Sequence, residues 1–224
     1  MTSISAKNFI EFLIRKKAIE FGDFTTKSGR KTPYFVNLGN VCNGQDMRFL
    51  GEMYADTIVE KLGNDFDNLF GPAYKGIPLV VAAATELDRK HGINTSFTYN
   101  RKEVKDHGEK GVLVGHRYSD GDRIVILEDV VTAGTSVYET VPFLKSAANI
   151  RLKALIVSVD RQERGKTGKS ALQEISETLN IKTISIITLD DIISHINKLK
   201  VDGQPYLTDA ELARVQEYRY DYGM

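Results

Sequence analysis

The stretch that most constrains the fold of this chain is residues 123–136, Arg-Ile-Val-Ile-Leu-Glu-Asp-Val-Val-Thr-Ala-Gly-Thr-Ser. Residues 124–127 are apolar and mostly β-branched, which predicts a strand buried on both faces. Two acids follow, then a loop of small and hydroxyl-bearing residues, then an apolar pattern at helical spacing. This order is typical of a phosphate site, because the loop and the first helical turn offer unpaired N–H donors and the helix dipole favours an anion.

The acid pair, Glu128 and Asp129, argues against an ordinary strand-to-helix turn capped by Ser136. Two carboxylates would repel a bare phosphate, so they must face something else, such as sugar hydroxyls or the water shell of a metal ion. A ribose with a 5′-phosphate satisfies both halves of such a site. The loop adds hydroxyl donors and a glycine that lets the backbone approach the ligand: Thr132, Thr135, Ser136 and Gly134.

Composition limits the classes of partner. The chain has 224 residues, and its 30 Lys and Arg balance its 30 Asp and Glu, so no net field draws it to a nucleic acid or a membrane. The single Cys42 excludes an internal disulfide and fits a reducing compartment. The sequence shows neither a signal peptide nor an apolar run of transmembrane length. We therefore expect a cytoplasmic protein with no nucleic-acid or membrane partner.

The hydrophobic pattern predicts alternating strands and helices after an N-terminal helix (3–19) and hairpin (19–38). The expected strands are 68–71, 96–100, 124–127, 154–159 and 183–188; the expected helices are 46–62, the segment after 71 to about 90, the segment after 136, 170–179, 190–199 and one starting at Thr208 with a Glu211 capping box. Pro142 should kink or shorten its helix. The prediction is one α/β domain over residues 1–224, a parallel sheet flanked by helices, with a hood from about residues 1–40 and possibly C-terminal residues.

Two further segments fit a ribose-phosphate ligand. The turn Gly71-Pro-Ala-Tyr-Lys-Gly76 follows a strand, and Lys75 is placed to contact a diphosphate, although a plain turn with a solvated lysine is the alternative. The segment 102–118 is polar and Gly-punctuated, which fits either a disordered surface loop or a functional lid. The basic residues in this segment and immediately before it favour a lid that closes over a leaving diphosphate: Arg101, Lys102, Lys105 and His107.

Taken together, these motifs resemble those of a known family. A hydrophobic strand, two acids, two aliphatic residues and Thr-Ala-Gly-Thr form the phosphoribosyl pyrophosphate (PRPP) signature of the type I phosphoribosyltransferases. The pattern Arg-Lys-x-x-Lys-x-His-Gly at residues 101–108 narrows the resemblance to the orotate phosphoribosyltransferase family. The resemblance covers residues 27–161 and implies the type I phosphoribosyltransferase fold. It also implies an enzyme of pyrimidine synthesis that transfers phosphoribosyl from PRPP to orotate, giving orotidine 5′-monophosphate and pyrophosphate.

The same resemblance assigns roles to individual residues. PRPP binding is implied for Lys27, Tyr74, Lys75, Arg101, Lys102, Lys105, His107, Glu128, Asp129, Val130, Val131, Thr132, Ala133, Gly134, Thr135 and Ser136. Catalytic roles are implied for Lys105, Lys75 and His107. Orotate binding is implied for Tyr34, Phe35, Thr132 and Arg161. From the residues alone, Tyr34 and Phe35 fit a hairpin core better than a binding surface, and the alternative for Arg161 is a strand-end arginine paired with Glu163.

The resemblance also implies a cofactor and a partner. Mg²⁺ should be held mainly by PRPP and water, with Glu128 and Asp129 nearby. A homodimer is implied, in which the 102–118 loop reaches the neighbouring site. The alternatives are a phosphoribosyltransferase for another nucleobase and a non-catalytic PRPP-sensing regulator of the same fold.

One further motif points elsewhere. Residues 163–170, Glu-Arg-Gly-Lys-Thr-Gly-Lys-Ser, end like a P-loop. A P-loop requires glycine where Glu163 stands, so nucleoside triphosphate binding is not expected there.

Overall fold

The computed structural model describes residues 4–26, 29–105, 111–165 and 167–224, excluding the side chains of residues 104 and 105. The sequence predictions for Lys27, His107 and the side chain of Lys105 lie outside these described residues. The helices are α1 (Ile4–Arg15), α2 (Gly44–Leu62), α3 (Gly76–His91), α4 (Thr135–Ala147), α5 (Ala171–Leu179), α6 (Leu189–Ile196) and α7 (Asp209–Tyr222). The strands are β1 (Ile19–Thr25), β2 (Lys31–Val36), β3 (Asn68–Gly71), β4 (Ser96–Lys105), β5 (Gly111–Gly115), β6 (Arg123–Val130), β7 (Arg151–Asp160), β8 (Lys182–Thr188), β9 (Lys200–Val201) and β10 (Gln204–Pro205).

The chain divides into two compact units. The first, called the terminal unit, contains Met1–Cys42, Val159–Ser170 and Ile187–Met224. The second, called the sheet unit, contains Asn43–Ser158 and Ala171–Ile186. The prediction of a single domain with a hood stays a prediction.

The central sheet has six strands in the order β5-β4-β3-β6-β7-β8. Strand β3 pairs in parallel with β4 and with β6, as predicted for strands joined by helices. The predicted parallel sheet flanked by helices is confirmed, except that β5 pairs antiparallel with β4 and makes the sheet mixed at this edge. The segment predicted as a loop thus contains a strand, since the apolar run 112–114 between two glycines supports pairing.

The core of the sheet unit confirms the prediction for the central strand. Residues 124–127 are fully buried. Ile124 and Ile126 belong to one buried cluster with Phe70 of β3 and with Val137 and Leu144 of α4. Helix α4 continues past the exposed Pro142 to Ala147, so the expected shortening does not occur.

The terminal unit is built on an amphipathic helix and a hairpin. Helix α1 buries Phe9, Ile10, Phe12 and Leu13, and it packs against α6. It ends at Arg15, earlier than predicted, because the chain enters β1 at Ile19. The hairpin β1–β2 packs against α7, whose predicted capping box between Thr208 and Glu211 is present. Within the described ranges, none of the helices has the length and apolar composition that crossing a bilayer requires.

Candidate active site

The first part of the site is the start of helix α4 in the sheet unit. Its N-cap is Gly134, at φ 69°, and no described side chain caps the helix. A Cβ at Gly134 would come within 2.7 Å of Cδ1 of Ile175, and the positive φ strains residues with a Cβ, so glycine is favoured at this position. The first intrahelical bond runs from the Tyr138 N–H to the Gly134 carbonyl, at 2.9 Å. The N–H groups before it, together with the dipole, make this end of α4 suitable for an anion.

The acid pair lies at the end of β6, immediately before this loop, and buried hydroxyls fix its backbone. The Tyr54 hydroxyl donates to the carbonyl of Glu128 at 2.7 Å, and the Ser158 hydroxyl donates to the carbonyl of Asp129 at 2.6 Å. Because both donors come from packed elements, α2 and β7, the two carboxylates start from a rigid backbone. The strand extends through the acids to Val130, beyond the predicted end.

The two carboxylates have different surroundings. Oε1 of Glu128 accepts a hydrogen bond from the Ser136 hydroxyl at 3.0 Å. Its Oε2 is buried and has no hydrogen-bond partner among the described residues. Asp129 accepts from Nζ of Lys75 at 2.9 Å and from the N–H of Val130 at 2.8 Å. One carboxylate is therefore compensated, while the other keeps an unsatisfied buried oxygen, which is rare in folded proteins.

The environment of Glu128 changes its protonation. Burial raises the pKa of Glu128 to about 7, and the charge of Asp129 adds to the rise; Ser136, Lys75 and Lys102 act in the opposite direction. At neutral pH this carboxyl is close to half protonated. It can therefore accept a hydrogen bond from a ligand hydroxyl or donate one to it.

The turn between β3 and α3 forms the opposite wall of the sheet-unit site. Its two ends, Gly71 and Gly76, approach so closely that a Cβ on either would overlap the backbone of the other. The Asn100 side-chain carbonyl accepts from the N–H of Ala73 at 2.8 Å and holds the middle of the turn. Lys75 follows and pairs with Asp129. The turn thus places its lysine beside the acid pair, and its predicted contact with a diphosphate stays a prediction.

Basic side chains continue from the turn to strand β4. Nζ of Lys102 lies 5.2 Å from the ring centroid of Tyr74, which is 67% exposed. Arg101 is half-buried next to Lys102 in the same strand. A cavity of about 270 Å³ opens here, lined in part by Asn100, Lys102 and Ser136. The structure therefore collects the acid pair, the α4 loop and the described basic residues at one edge of the sheet.

The predicted orotate residues of the terminal unit are Tyr34, Phe35 and Arg161. Tyr34 is buried, and the Arg161 guanidinium lies over its ring at 4.9 Å. Nη2 of Arg161 lies 2.6 Å from Oε1 of Glu163, so the pairing that the sequence left as an alternative is present. Phe35 is half-exposed and stacks on Phe24 at 5.5 Å. Thr132 belongs to the other unit and is exposed.

Several side chains that support the site were not predicted from the sequence. Tyr54 stands at helical spacing among apolar residues and reads as core, and Ser158 lies inside an apolar strand. Asn100 ends the predicted strand without any motif. Only the direction of a buried hydroxyl or amide reveals such roles, and sequence spacing does not encode it.

The segment that resembles a P-loop has a different structure. Glu163 pairs in a β-bridge with Gly223, and Arg164 pairs with Ser170. Over the described residues, there is no group of three or more His, Cys, Asp or Glu side chains that could hold a metal ion by itself.

Comparisons with known proteins show which family the chain resembles. A family model described as the phosphoribosyl transferase domain matches residues 39–170. The orotate phosphoribosyltransferase of Clostridium acetobutylicum is 50% identical over 218 residues, covering 97% of each chain, and that of Clostridium beijerinckii is 50% identical over 217 residues with the same coverage. The crystal structure of the Francisella tularensis orotate phosphoribosyltransferase matches with a TM-score of 0.83 and 35% identity, covering 97% of this chain and 100% of that one.

Proposed function

This chain belongs to the orotate phosphoribosyltransferases of the phosphoribosyl transferase family, and on that premise we propose how its residues carry the reaction. The enzyme transfers the 5-phosphoribosyl group from PRPP to orotate in pyrimidine biosynthesis. A ring nitrogen of orotate attacks the anomeric carbon of PRPP as pyrophosphate leaves. Because the bonds change within the substrates, the task of the protein is to position them and to stabilise charge.

PRPP is held by the sheet unit in this proposal. The loop 132–136 and the start of α4 take the 5′-phosphate, and Glu128 and Asp129 take the ribose hydroxyls. The observation that supports this most is the buried Oε2 of Glu128, which has no partner among the described residues and lies beside an uncapped helix start. A ribose hydroxyl would satisfy that oxygen, and a phosphate would satisfy the free N–H groups.

The diphosphate is held by the turn and the basic strand. The Lys75 ammonium, which donates to Asp129, also donates to a phosphate oxygen of the bound diphosphate. Tyr74, Arg101 and Lys102 line the path by which the diphosphate enters. Each such charge-assisted contact contributes about 1.5–3 kcal/mol once water is excluded. Lys105 and His107 are proposed from the family resemblance, with Lys105 assisting the departure of pyrophosphate.

Orotate is assigned to Tyr34, Phe35, Thr132 and Arg161. The guanidinium of Arg161 is mostly buried, charged and stacked on Tyr34, which suits it to bind a planar carboxylate through two N–H groups. Phe35 offers an exposed aromatic face. These assignments rest on the family resemblance and on the position of Arg161, whose guanidinium is held by Glu163 and Tyr34.

Mg²⁺ fits the sheet-unit site as a companion of PRPP. The described residues offer no three-ligand cluster, but two adjacent carboxylates and an unsatisfied oxygen suit the water shell of a metal ion. Glu128 and Asp129 would lie near such an ion, and PRPP oxygens and water would be its main ligands. When bound, Mg²⁺ would neutralise charge on the diphosphate.

We further propose a homodimer in which the 102–118 loop reaches the neighbouring site, as the family resemblance implies. We also propose a cytoplasmic location, because a lone exposed Cys42 suits a reducing compartment.

The test of the residue assignments is the loss of orotate absorbance in the presence of PRPP and Mg²⁺, for the wild type and for K105A. Lys145→Ala, an exposed lysine of α4, is the charge-matched control. We expect kcat to fall at least 100-fold in K105A and to stay within twofold in K145A. Turnover that survives K105A would contradict the loop assignment. A wild type that binds PRPP but leaves orotate unchanged would favour another nucleobase or a PRPP-sensing regulator.

A further inference from the structure

Glu163 lies at the centre of a cluster of four side chains in the terminal unit. Its Oε1 accepts from Nε and Nη2 of Arg161 at 2.9 and 2.6 Å, from the Tyr34 hydroxyl at 2.8 Å and from the Tyr218 hydroxyl at 3.0 Å. Its other oxygen accepts from Nη1 of Arg30 at 3.4 Å. The Glu163 side chain is only 15% exposed. A carboxylate with this many donors acts as an anchor for its neighbours and not as a free base.

The contacts decide which part of the Arg161 guanidinium is open. Glu163 occupies the edge formed by Nε and Nη2, while the ring of Tyr34 covers one face at 4.9 Å. Nη1 donates no hydrogen bond to any residue within the described ranges. The end formed by Nη1 and Nη2 therefore remains for a carboxylate to bind through two parallel hydrogen bonds.

The charge balance of the cluster suits an anion. Arg30 and Arg161 carry two positive charges against the single negative charge of Glu163, so the cluster has one positive charge in excess. Burial raises the pKa of the Tyr34 hydroxyl, and it also raises the pKa of the Tyr218 hydroxyl. Both tyrosines thus stay neutral donors and add no negative charge.

We propose that Glu163 is a positioning residue for substrate recognition: it holds Arg161 by the Nε edge so that the Nη1–Nη2 end receives the carboxylate of the pyrimidine. The inference rests on the proposed function of Arg161 as the orotate carboxylate ligand. Glu163 itself does not touch the substrate. Its charge sets the orientation of Arg161, and with it the preference for an anionic over a neutral pyrimidine.

The alternative is that Glu163 only compensates the charge of Arg161 and has no role in substrate recognition. Removing one partner of a buried ion pair destabilises the fold by leaving the other charge uncompensated. A purely structural role would therefore lower the melting temperature and affect both substrates alike. A positioning role would change the affinity for orotate and leave that for PRPP, which in the proposed function is bound mainly by residues of the sheet unit.

The main variant is E163Q, which keeps the shape and one acceptor oxygen but removes the charge. We expect KM for orotate to rise at least tenfold, with KM for PRPP within twofold of the wild type. Tyr218→Phe is the matched control, because it removes one hydrogen bond to the same oxygen of Glu163 and leaves the bonds between Glu163 and Arg161 in place. We expect Y218F to change KM for orotate less than threefold. E163D keeps a carboxylate, so its KM for orotate should be at least threefold lower than that of E163Q.

The result that overturns the inference is KM for orotate in E163Q within twofold of the wild type. A parallel rise of both KM values with a lower melting temperature, or an equal effect of Y218F, would also overturn it. If E163Q does not fold, E163D is compared with the wild type, where a rise in KM for orotate alone supports the inference and a parallel rise contradicts it. Arg161→Lys distinguishes the proposed role of Arg161 from that of Glu163. An unchanged KM for orotate in R161K would contradict the role of Arg161 as the orotate ligand. A raised KM for orotate in R161K with no effect of E163Q would overturn only the positioning role of Glu163.

Discussion

Glu128 couples the stability of the protein to pH through one buried carboxyl. Its pKa is raised from 4.5 to about 7 by burial, with a smaller contribution from Asp129. Between these two values the unfolded chain has lost the proton while the folded protein still holds it, so rising pH favours unfolding. Above pH 7 both states are ionised, and the penalty stays constant at about 3 kcal/mol.

We predict that E128Q removes this pH dependence, because a glutamine keeps the shape of the side chain but cannot ionise. The free energy of unfolding of E128Q relative to the wild type should rise by about 2–3 kcal/mol between pH 5 and pH 8. Urea denaturation at several pH values measures it. The control is Glu139→Gln, an exposed residue of α4. Parallel stability curves for E128Q and the wild type would show that Glu128 ionises normally.

At the residue scale, the sequence allowed prediction of the groups that carry chemistry but not of the groups that hold them. The acid pair and Lys75 were expected from their motifs, and the structure brings Lys75 to 2.9 Å from Asp129. Tyr54 and Ser158, which fix the backbone of the acids, gave no signal. Their spacing is that of ordinary core positions, and the hydroxyl direction depends on tertiary packing.

At the element scale, the turn between β3 and α3 depends on a close backbone approach. A Cβ at Gly71 would overlap the carbonyl of Gly76, which belongs to the packed start of α3 and cannot move away. A Cβ at Gly44, the first residue of α2, would meet open space. The two glycines therefore make a matched pair for testing the turn.

We predict that G71A lowers the free energy of unfolding by about 3 kcal/mol or more and raises KM for PRPP, because the turn must open to admit the methyl group. G44A should leave KM unchanged and stability equal or up to about 1 kcal/mol higher. Chemical denaturation and steady-state kinetics measure both. A G71A protein with wild-type stability and KM would contradict the role of the close approach.

The strands and helices were largely predictable because their apolar periods are regular, and β3 was placed at its observed bounds. The capping box of α7 was also predictable, since Thr208 and Glu211 stand three residues apart. Strand β5 was not predicted, because the glycines and charged residues of 102–118 indicated a loop. Pairing with β4 supplies the stability there, and pairing is a non-local property.

At the scale of the whole molecule, the proposed dimer predicts complementation between variants. K105A would disable the loop, and D129A would disable the PRPP site. In a mixed two-fold dimer one site combines both defects and the other has neither, so statistical mixing restores about 25% of wild-type activity. Kinetics after unfolding and refolding the mixed variants together measure this. Activity equal to the sum of the separate variants would contradict a loop shared across the dimer.

Clusters of side chains that are far apart in the sequence could not be predicted from the sequence. The cluster around Glu163 joins Arg30 and Tyr34 of the hairpin to Tyr218 of α7. Each of these residues is 55 to 133 positions from Glu163 along the chain, and no period or motif links them to it. The sequence offered Glu163 as a partner of Arg161, but it did not show that Arg30, Tyr34 and Tyr218 donate to the same carboxylate.

The central claim is that the acid pair of the sheet unit binds the ribose of PRPP. The most direct measurement is calorimetric titration of PRPP with Mg²⁺ into the wild type, the double variant E128Q/D129N and the control D88N, an exposed acid of α3. We predict that the double variant loses at least about 100-fold in affinity, as expected for two lost hydrogen bonds to carboxylates, while D88N stays within twofold. A folded double variant that binds PRPP as tightly as the wild type would contradict the claim.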